Sequence, residues 1–568
     1  MPDTTAPPTR SWVPPRWLRW TVGVVLAVLA CTAWGVTTAS ADLSLGPHEA
    51  RYEVTTNGLV VVDLGPLGTV QLDSPAPLGL GARVVVKEIP AELTSVTPAQ
   101  NLDALGTDVQ SYLQFFATPD LTVQRAVRAL AVDALWRTLA ALAVVALVAT
   151  ALVLLLGRPR RREIAAAAGR HTWELAAGLV VVVATALTLS SSEPGTSTTT
   201  AESGSPLFAG TPLAGARITG RLAGVVNTYG EQLVSAYQSS ESFYAQANRS
   251  LEAAWDERDV VQGAEDALAR AGVGPTATAS PVTPTAPATS PGGSGTASPS
   301  PTAEPDLLTL LVISDLHCNT GMSPLIRTAV ERSGAQVVLN AGDTTINGTA
   351  VEQVCVDSFA SAIPRRVPTV MANGNHDSPL VAKFARDAGW TVLDGSVVDV
   401  KGLRILGDHD VLQTRIGVAS HQSGDVSPDQ QSQALTDAAC EAEKDGVPGV
   451  DLLLIHDPSI GTLPLESGCV PAQVSGHLHR RIDPTQLGLG IRYVNSSTAG
   501  ATLGQPTVGP LRGTSEMTVL RFDRDTHRFV DWQVVSVTKK GVASVSEREP
   551  WPEPTTTEVP ASPLPPGD

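Results

Sequence analysis

The chain has 568 residues, with 39 basic against 56 acidic side chains and a net charge of −17, a balance that excludes a protein whose main task is gripping nucleic acid. Only 17% of residues are charged, 49 Gly and 43 Pro are spread along the chain, and the mean hydropathy is slightly positive at +0.08. Apolar content must therefore gather in a few segments separated by linker, which excludes a single compact soluble domain.

In chain order, Trp20 to Ala39 is nearly uncharged and follows Arg10, Arg16 and Arg19. It reads as a first transmembrane helix. Ala39-Ser40-Ala41 also fits a signal-peptide cleavage site, and Cys31 gives a weaker lipoprotein reading. Residues 42–135 form an expected small α+β accessory module on the outer side. In it, Leu59–Val62 and Thr69–Leu72 flank Gly65-Pro66-Leu67-Gly68 as a β-hairpin, and Arg83–Val86 reads as a further strand. From Ala99 the apolar spacing turns helical, and the solitary His48 reads as a surface residue.

Leu139 to Leu156 carries no charge, and Trp173 to Leu189 carries only Glu174. A helix rising 1.5 Å per residue needs about 20 residues to cross the hydrocarbon core, so both join the first segment as candidate spans. Arg158, Arg160, Arg161, Arg162 and Arg170 lie between them. By the positive-inside rule that loop and the N-terminus face the cytoplasm, and residues 42–135 and everything after 190 face outward. The expected plan is then 1–41 as cytoplasmic N-terminus and first helix, 42–135 as module and 136–190 as two helices with their basic loop. Next come 191–271 as linker and helical spacer, packed on the module or the membrane, and 272–305 as a Pro/Thr/Ser-rich tether. A catalytic block fills 306–541, and 542–568 is a Pro-rich tail.

The block holds the chemistry. Its apolar runs Leu308–Ser314, Val337–Asn340, Val367–Met371, Arg404–Gly407 and Leu452–Ile455 alternate with helical stretches, which predicts an α/β layered sheet. Four of these runs, and a further strand at Val474-Ser475, deliver polar residues into the next loop: Asp315 and His317, then Gly342-Asp343, then Gly374-Asn375-His376-Asp377, then His456, then His477 and His479. Loops at carboxyl strand ends are where open α/β sheets build sites. Carboxylates supply charge and neutral imidazoles complete each shell, the requirement of a two-metal centre. In D-x-H and H-x-H, alternate residues of an extended chain would share one face.

These motifs, from Asp315-x-His317 to Gly476-His477-x-His479, resemble the signature of the calcineurin-like metallophosphoesterases over about residues 306–540. The resemblance implies a four-layered α/β/β/α sandwich with a dinuclear site, preceded here by the transmembrane helices and the module. It implies that Asp315, His317, Asp343 and His479 hold one ion. Asp343, as a bridge, would hold the other with Asn375, His456 and His477. His376 becomes the acid at the leaving group, oriented by Asp377, and the ions are manganese, iron or zinc. A shared water with lowered pKa would attack the phosphorus in line while the ions hold the phosphoryl oxygens.

Cys318, Cys355, Cys440 and Cys469 all fall in the block, and an even number on the oxidising side of a membrane predicts two disulfides. Three pairings are open, with Cys318–Cys355 and Cys440–Cys469 favoured and a Cys318 thiolate ligand as the rival. Asp408, His409 and Asp410 read as a solvated loop, with a place at the substrate cleft as the alternative. The polar stretch His421–Gly446 reads as an insertion that shapes access. The expected function is a multi-pass, membrane-anchored phosphohydrolase that cleaves a phosphate mono- or diester outside the cytoplasm. The rivals are a sensor or scaffold that binds phosphorylated ligand without turnover, and a protein whose main role lies in the module and membrane part. No motif names a protein partner.

Overall fold

The computed structural model describes residues 15–45, 48–65, 68–87, 119–157, 159–160, 215–219, 221–270, 306–415, 418–443, 449–502, 507 and 509–555. The third apolar segment, the helical pattern from Ala99, the basic loop beyond Arg160 and the stretch 272–305 lie outside these residues. The chain divides into two units, one built from residues up to Val96 with Pro119–Ser235, the other chiefly from Ala236 onward.

In the first unit, helices α1 (Arg16–Thr37) and α2 (Pro119–Leu155) are long and apolar enough to cross a membrane. They pack closely at Gly35, where a Cβ would fall 2.2 Å from Thr138 Oγ1 and 2.7 Å from the Ala134 carbonyl oxygen, so only the smallest residue allows the crossing. A six-stranded sheet follows, in the order β1 (Ser40–Leu45), β2 (His48–Thr55), β5 (Gly81–Val86), β3 (Leu59–Asp63), β4 (Thr69–Asp73), β6 (Arg217–Ile218). The predicted hairpin forms, with Leu59 opposite Asp73. Ala50, Tyr52 and Val84 pack on Ala126 and Leu130 of α2. Asp133 of α2 accepts the Ser40 N–H at 2.9 Å and pairs with Arg137. The first turns of α2 thus complete the module's core before the helix becomes wholly apolar.

The second unit holds two sheets. One runs β10 (Thr391–Val392), β9 (Thr369–Met371), β8 (Val337–Asn340), β7 (Leu307–Ile313), β19 (Ser515–Asp523), β20 (Arg528–Val537), β21 (Ala543–Val545), with β22 (Glu549–Pro550) also on β20. The other runs β11 (Val398–Val400), β12 (Leu403–Leu406), β15 (Leu452–Leu454), β16 (Ala472–Ser475), β18 (Gly490–Val494), β17 (Ile482–Leu487). A separate hairpin joins β13 (Leu412–Arg415) to β14 (Val418–Gln422). Leu308, Leu310, Val312, Val337 and Leu339 of the first sheet share one core with Leu403, Leu452, Leu454, Ile491 and Tyr493 of the second. Alternation puts Leu311, Ile313, Val338 and Met371 on the opposite face of the first sheet, where they are equally buried. Helices α4 (Ser323–Ser333), α5 (Gln353–Ala362) and α6 (Pro379–Asp387) connect these parallel strands. Residues of α7 (Pro428–Ala442) and α8 (Thr462–Ser467) pack with Leu453 and Ile455 beyond the second sheet. The stretch expected to shape access is thus largely an amphipathic cover helix.

The spacer helix forms as α3 (Arg221–Arg270), and its part from Ala236 belongs to the second unit. Tyr244, Ala247, Leu251 and Trp255 are buried there. Thr328 donates to Asn248 at 2.8 Å, Arg332 reaches Asp256 and Asp259, and the Ala543 N–H donates to Ser250. This corrects the expected packing of the helix from Ala236 on, whose partner is the catalytic block, whereas Arg217–Ile218 just before the helix does join the module's sheet. The stretch 271–305 therefore leaves from and returns to one folded body.

Candidate metal centre

The candidate ligands stand where apolar strands end. Asp315 follows β7, Asp343 follows β8, Asn375 follows β9, and His477 follows β16. The first two loops are laced together, with the N–H groups of Asp315 and His317 donating to the carbonyls of Gly342 and Asp343, both at 2.9 Å. Asp315, His317, Asp343, His477 and His479 all have left-handed backbone, with φ of 51°, 38°, 55°, 72° and 48°. Such conformations cost on the order of 1 kcal/mol or more each for non-glycine residues and cluster at functional sites. The extended pairing expected for D-x-H and H-x-H is thus replaced by tight left-handed turns, which curl each loop back over the strand ends. Glycines clear the way. A Cβ on Gly374 would lie 2.1 Å from Asp343 Oδ1, one on Gly342 2.6 Å from His456 Nδ1, and one on Gly476 2.7 Å from Asp315 Oδ2.

All seven expected ligands come together. One donor atom from each of Asp315, His317, Asp343 and His479 lies within 4.8 Å of the others. The Nε2 atoms of His317 and His479 face each other at 2.9 Å, and Asp315 Oδ2 is buried without a hydrogen-bond partner. Beside them Asn375 Oδ1 meets His456 Nε2 at 3.0 Å and His477 Nδ1 at 3.1 Å. Asp343 Oδ2 lies 3.7 Å from His317 Nε2 and 3.2 Å from His456 Nε2, so it is common to both groups. An orphaned carboxylate oxygen, imidazole nitrogens turned on one another and a shared central carboxylate fit cations between them.

Electrostatics agree with that fit. Burial holds His317 well below the usual imidazole range. At His456 burial acts in the same sense but is outweighed by Asp343, Asp315 and Asp410, which hold it well above. Burial would raise Asp343, yet the surrounding imidazoles hold it well below the carboxylate range. His456 Nδ1 meets the Ala341 carbonyl oxygen at 2.7 Å, which aims Nε2 into the site.

His376 flanks the first group, its ring edge-on to His317 with centroids 5.0 Å apart. The contact expected from Asp377 is absent. His376 Nδ1 instead meets the Ile346 carbonyl oxygen at 2.6 Å. Asp377 acts on the loop: its carboxylate accepts from the N–H groups of Thr344, Thr345 and Gly374 and from the Thr345 hydroxyl. Burial, with the charge of Asp343, pushes it up to about 6. Three supporting residues escaped the sequence reading. Glu352 accepts N–H groups of Ile346, Asn347 and Thr349 and so shapes the loop that orients His376. Thr414 accepts from Asn375 Nδ2 at 2.7 Å. Ser497 donates to the Asp315 carbonyl at 2.8 Å. Glu352 had a signal, the Thr349-x-x-Glu352 capping box that it closes; Thr414 and Ser497 have none.

Cys318 is bonded to Cys355 and Cys440 to Cys469, the pairs favoured from sequence, so Cys318 is no thiolate ligand. Asp410 departs from the expected solvated loop. It is 7% exposed, its N–H donates to the Asn373 carbonyl, and its Oδ2 has no partner, whereas His409 beside it is exposed and pairs with Asp408.

The model of the calcineurin-like phosphoesterase family matches residues 308–481. No curated protein matches the chain. Among solved structures, a dimetal phosphatase from Danio rerio is similar at 12% identity over 44% of this chain and 100% of its own, with a TM-score of 0.29. A purple acid phosphatase from yellow lupin (Lupinus luteus) seeds shares 13% identity over 43% of this chain and 54% of its own, at a TM-score of 0.27. An archaeal phosphodiesterase shares 11% over 40% of this chain and 100% of its own, at 0.25.

Proposed function

We propose, from the calcineurin-like phosphoesterase domain that residues 308–481 form, that this metal-dependent phosphoesterase is membrane-anchored and hydrolyses a phosphate mono- or diester outside the cytoplasm. The observation that carries the reading is the pair of donor groups sharing Asp343. Asp315, His317, Asp343 and His479 would hold one ion, and Asp343, Asn375, His456 and His477 the other, with manganese, iron or zinc suited to this oxygen and nitrogen set. Ions bound there supply positive charge for the phosphoryl oxygens and lower the pKa of water. His376, with Nδ1 tied to the Ile346 carbonyl, keeps Nε2 free to give a proton to the departing oxygen. Glu352 and Asp377 hold the two loops that set its angle.

The sheets sharing one core, with helices beyond each, support the α/β/β/α reading. Two apolar helices support anchoring, and two disulfides support an oxidising compartment. The test uses the full chain in detergent, scored by elemental analysis and by turnover of bis(nitrophenyl) phosphate. Two ions per chain, loss of turnover on chelation and its return with manganese are expected. A metal-loaded chain that stays inert would overturn the enzyme reading in favour of a ligand-binding scaffold.

A further inference from the structure

The sheet edge that carries Asp315 holds a second charged feature. Strand β19 lies between β7 and β20. Thr518 pairs with Val312 and Ser515 with Val537, so the end of β7, the start of β19 and the end of β20 share one edge. Two strand spacings, about 10 Å, separate β7 from β20. Just past these ends, Arg512, Thr514, Lys539, Lys540 and Val542 line an open cleft of about 530 Å³. The cleft is braced to the centre through Ser515, whose hydroxyl donates to the Thr498 carbonyl at 2.6 Å, next to the Ser497 that holds the Asp315 carbonyl.

Several basic side chains of this unit, among them Arg332, Arg404, Arg481 and Arg524, are neutralised by carboxylates. Arg512, Lys539 and Lys540 have no hydrogen bond or ion pair among the described residues. Three exposed cations gathered at one cleft, in a chain of net charge −17, make a local positive patch that attracts an anion. A guanidinium fork with two ammonium groups suits phosphate oxygens.

We propose that this cleft binds a second phosphate of the substrate, set about 10 Å or more along it from the ester that is cleaved. The substrate class is then a phosphate ester carrying a further phosphate group. The inference rests on the phosphoesterase reading above, and its test separates the two. The full chain in nanodiscs is titrated calorimetrically with an eight-carbon α,ω-bisphosphate and with the matching monophosphate, and turnover of bis(nitrophenyl) phosphate is followed in parallel.

Wild type is expected to bind the bisphosphate roughly tenfold more tightly, with the preference shrinking as salt is added. The triple variant R512Q/K539Q/K540Q is expected to bind both equally while its nitrophenyl ester turnover stays unchanged. Equal binding by wild type, or a preference that survives in the triple variant, overturns the cleft's role. Inert wild type with an intact preference leaves the cleft standing and sinks only the enzyme reading. Nanodiscs doped with phosphatidylglycerol separate the sources of the second phosphate. A preference lost in them assigns it to a lipid headgroup, and one retained assigns it to a soluble ester; both support a phosphate in the cleft.

Discussion

The His376 ring is held by the Ile346 carbonyl at Nδ1 rather than by a carboxylate, while its backbone N–H donates to Asp343 Oδ1 at 2.9 Å; the proposed role leaves it a proton to give away. His376→Ala should keep the bound metal, by elemental analysis, and lose roughly 10²–10⁴ in turnover on alkyl phosphate esters. It should lose far less on nitrophenyl esters, whose leaving group needs no acid, and equal losses on both would remove His376 from that role. Asp410 allows a prediction about pH. Burial pushes its carboxyl up to about 6 against the pull of His456 and the Leu412 N–H. A folded-state value above the ordinary 3.8 means that the group costs nothing below pH 3.8 and its full penalty above pH 6. Asp410→Asn should therefore stabilise the chelated protein above pH 6 by about 2–3 kcal/mol, with the gain gone near pH 4 in thermal melts. An equal gain at both ends would point to packing instead. The seven candidate ligands were readable from sequence because each is a distinctive donor just after a strand, and the structure brings their side chains together. The carbonyls of Ala341 and Ile346 were not, since every residue carries one, and Thr414 lies 39 positions from the Asn375 it holds.

At the scale of elements, α3 shows why a helix can be foreseen and its partner cannot. Its polar, helix-favouring stretch predicted the element, but the small apolar stripe of Tyr244, Ala247 and Leu251 fits a module, a membrane or a domain equally well. The structure resolves the choice with a shape match. The Tyr244 hydroxyl lies 2.9 Å from Asn319 Oδ1 and 2.8 Å from the Gly509 carbonyl oxygen. Its ring fills the space beside Gly321, where a Cβ would approach to 2.2 Å. Asn319 follows Cys318 and stands two residues from His317, so the helix supports the first metal loop. Tyr244→Phe should lower stability by about 1–2 kcal/mol, because a buried acceptor is left unpaired, and thermal melts of the full chain should show it. The melting shift that metal gives should also shrink, since a looser loop holds the ion less well; an unchanged shift would confine Tyr244 to stability alone. The disulfide Cys318–Cys355 braces the same loop from the other side, tying it to α5.

For the whole molecule, the sequence pattern was most informative where composition changes sharply, at the apolar helices and the catalytic block. It was least informative where one element serves two neighbours, as α2 does in closing the module's core before it turns wholly apolar. The division of labour in the second unit follows from the same fact. Its candidate ligands come from loops after five strands of two sheets, so the shared core between those sheets fixes distances that no single loop could hold. The stretch 271–305 adds a topological point. Both of its flanks, Arg270 at the end of α3 and Asp306 at the start of β7, belong to one folded body. A protease cut within it would leave the two fragments held together by the buried face of α3, as a nicked but assembled enzyme. Its length can therefore vary without disturbing the contacts that α3 from Ala236 makes within the second unit.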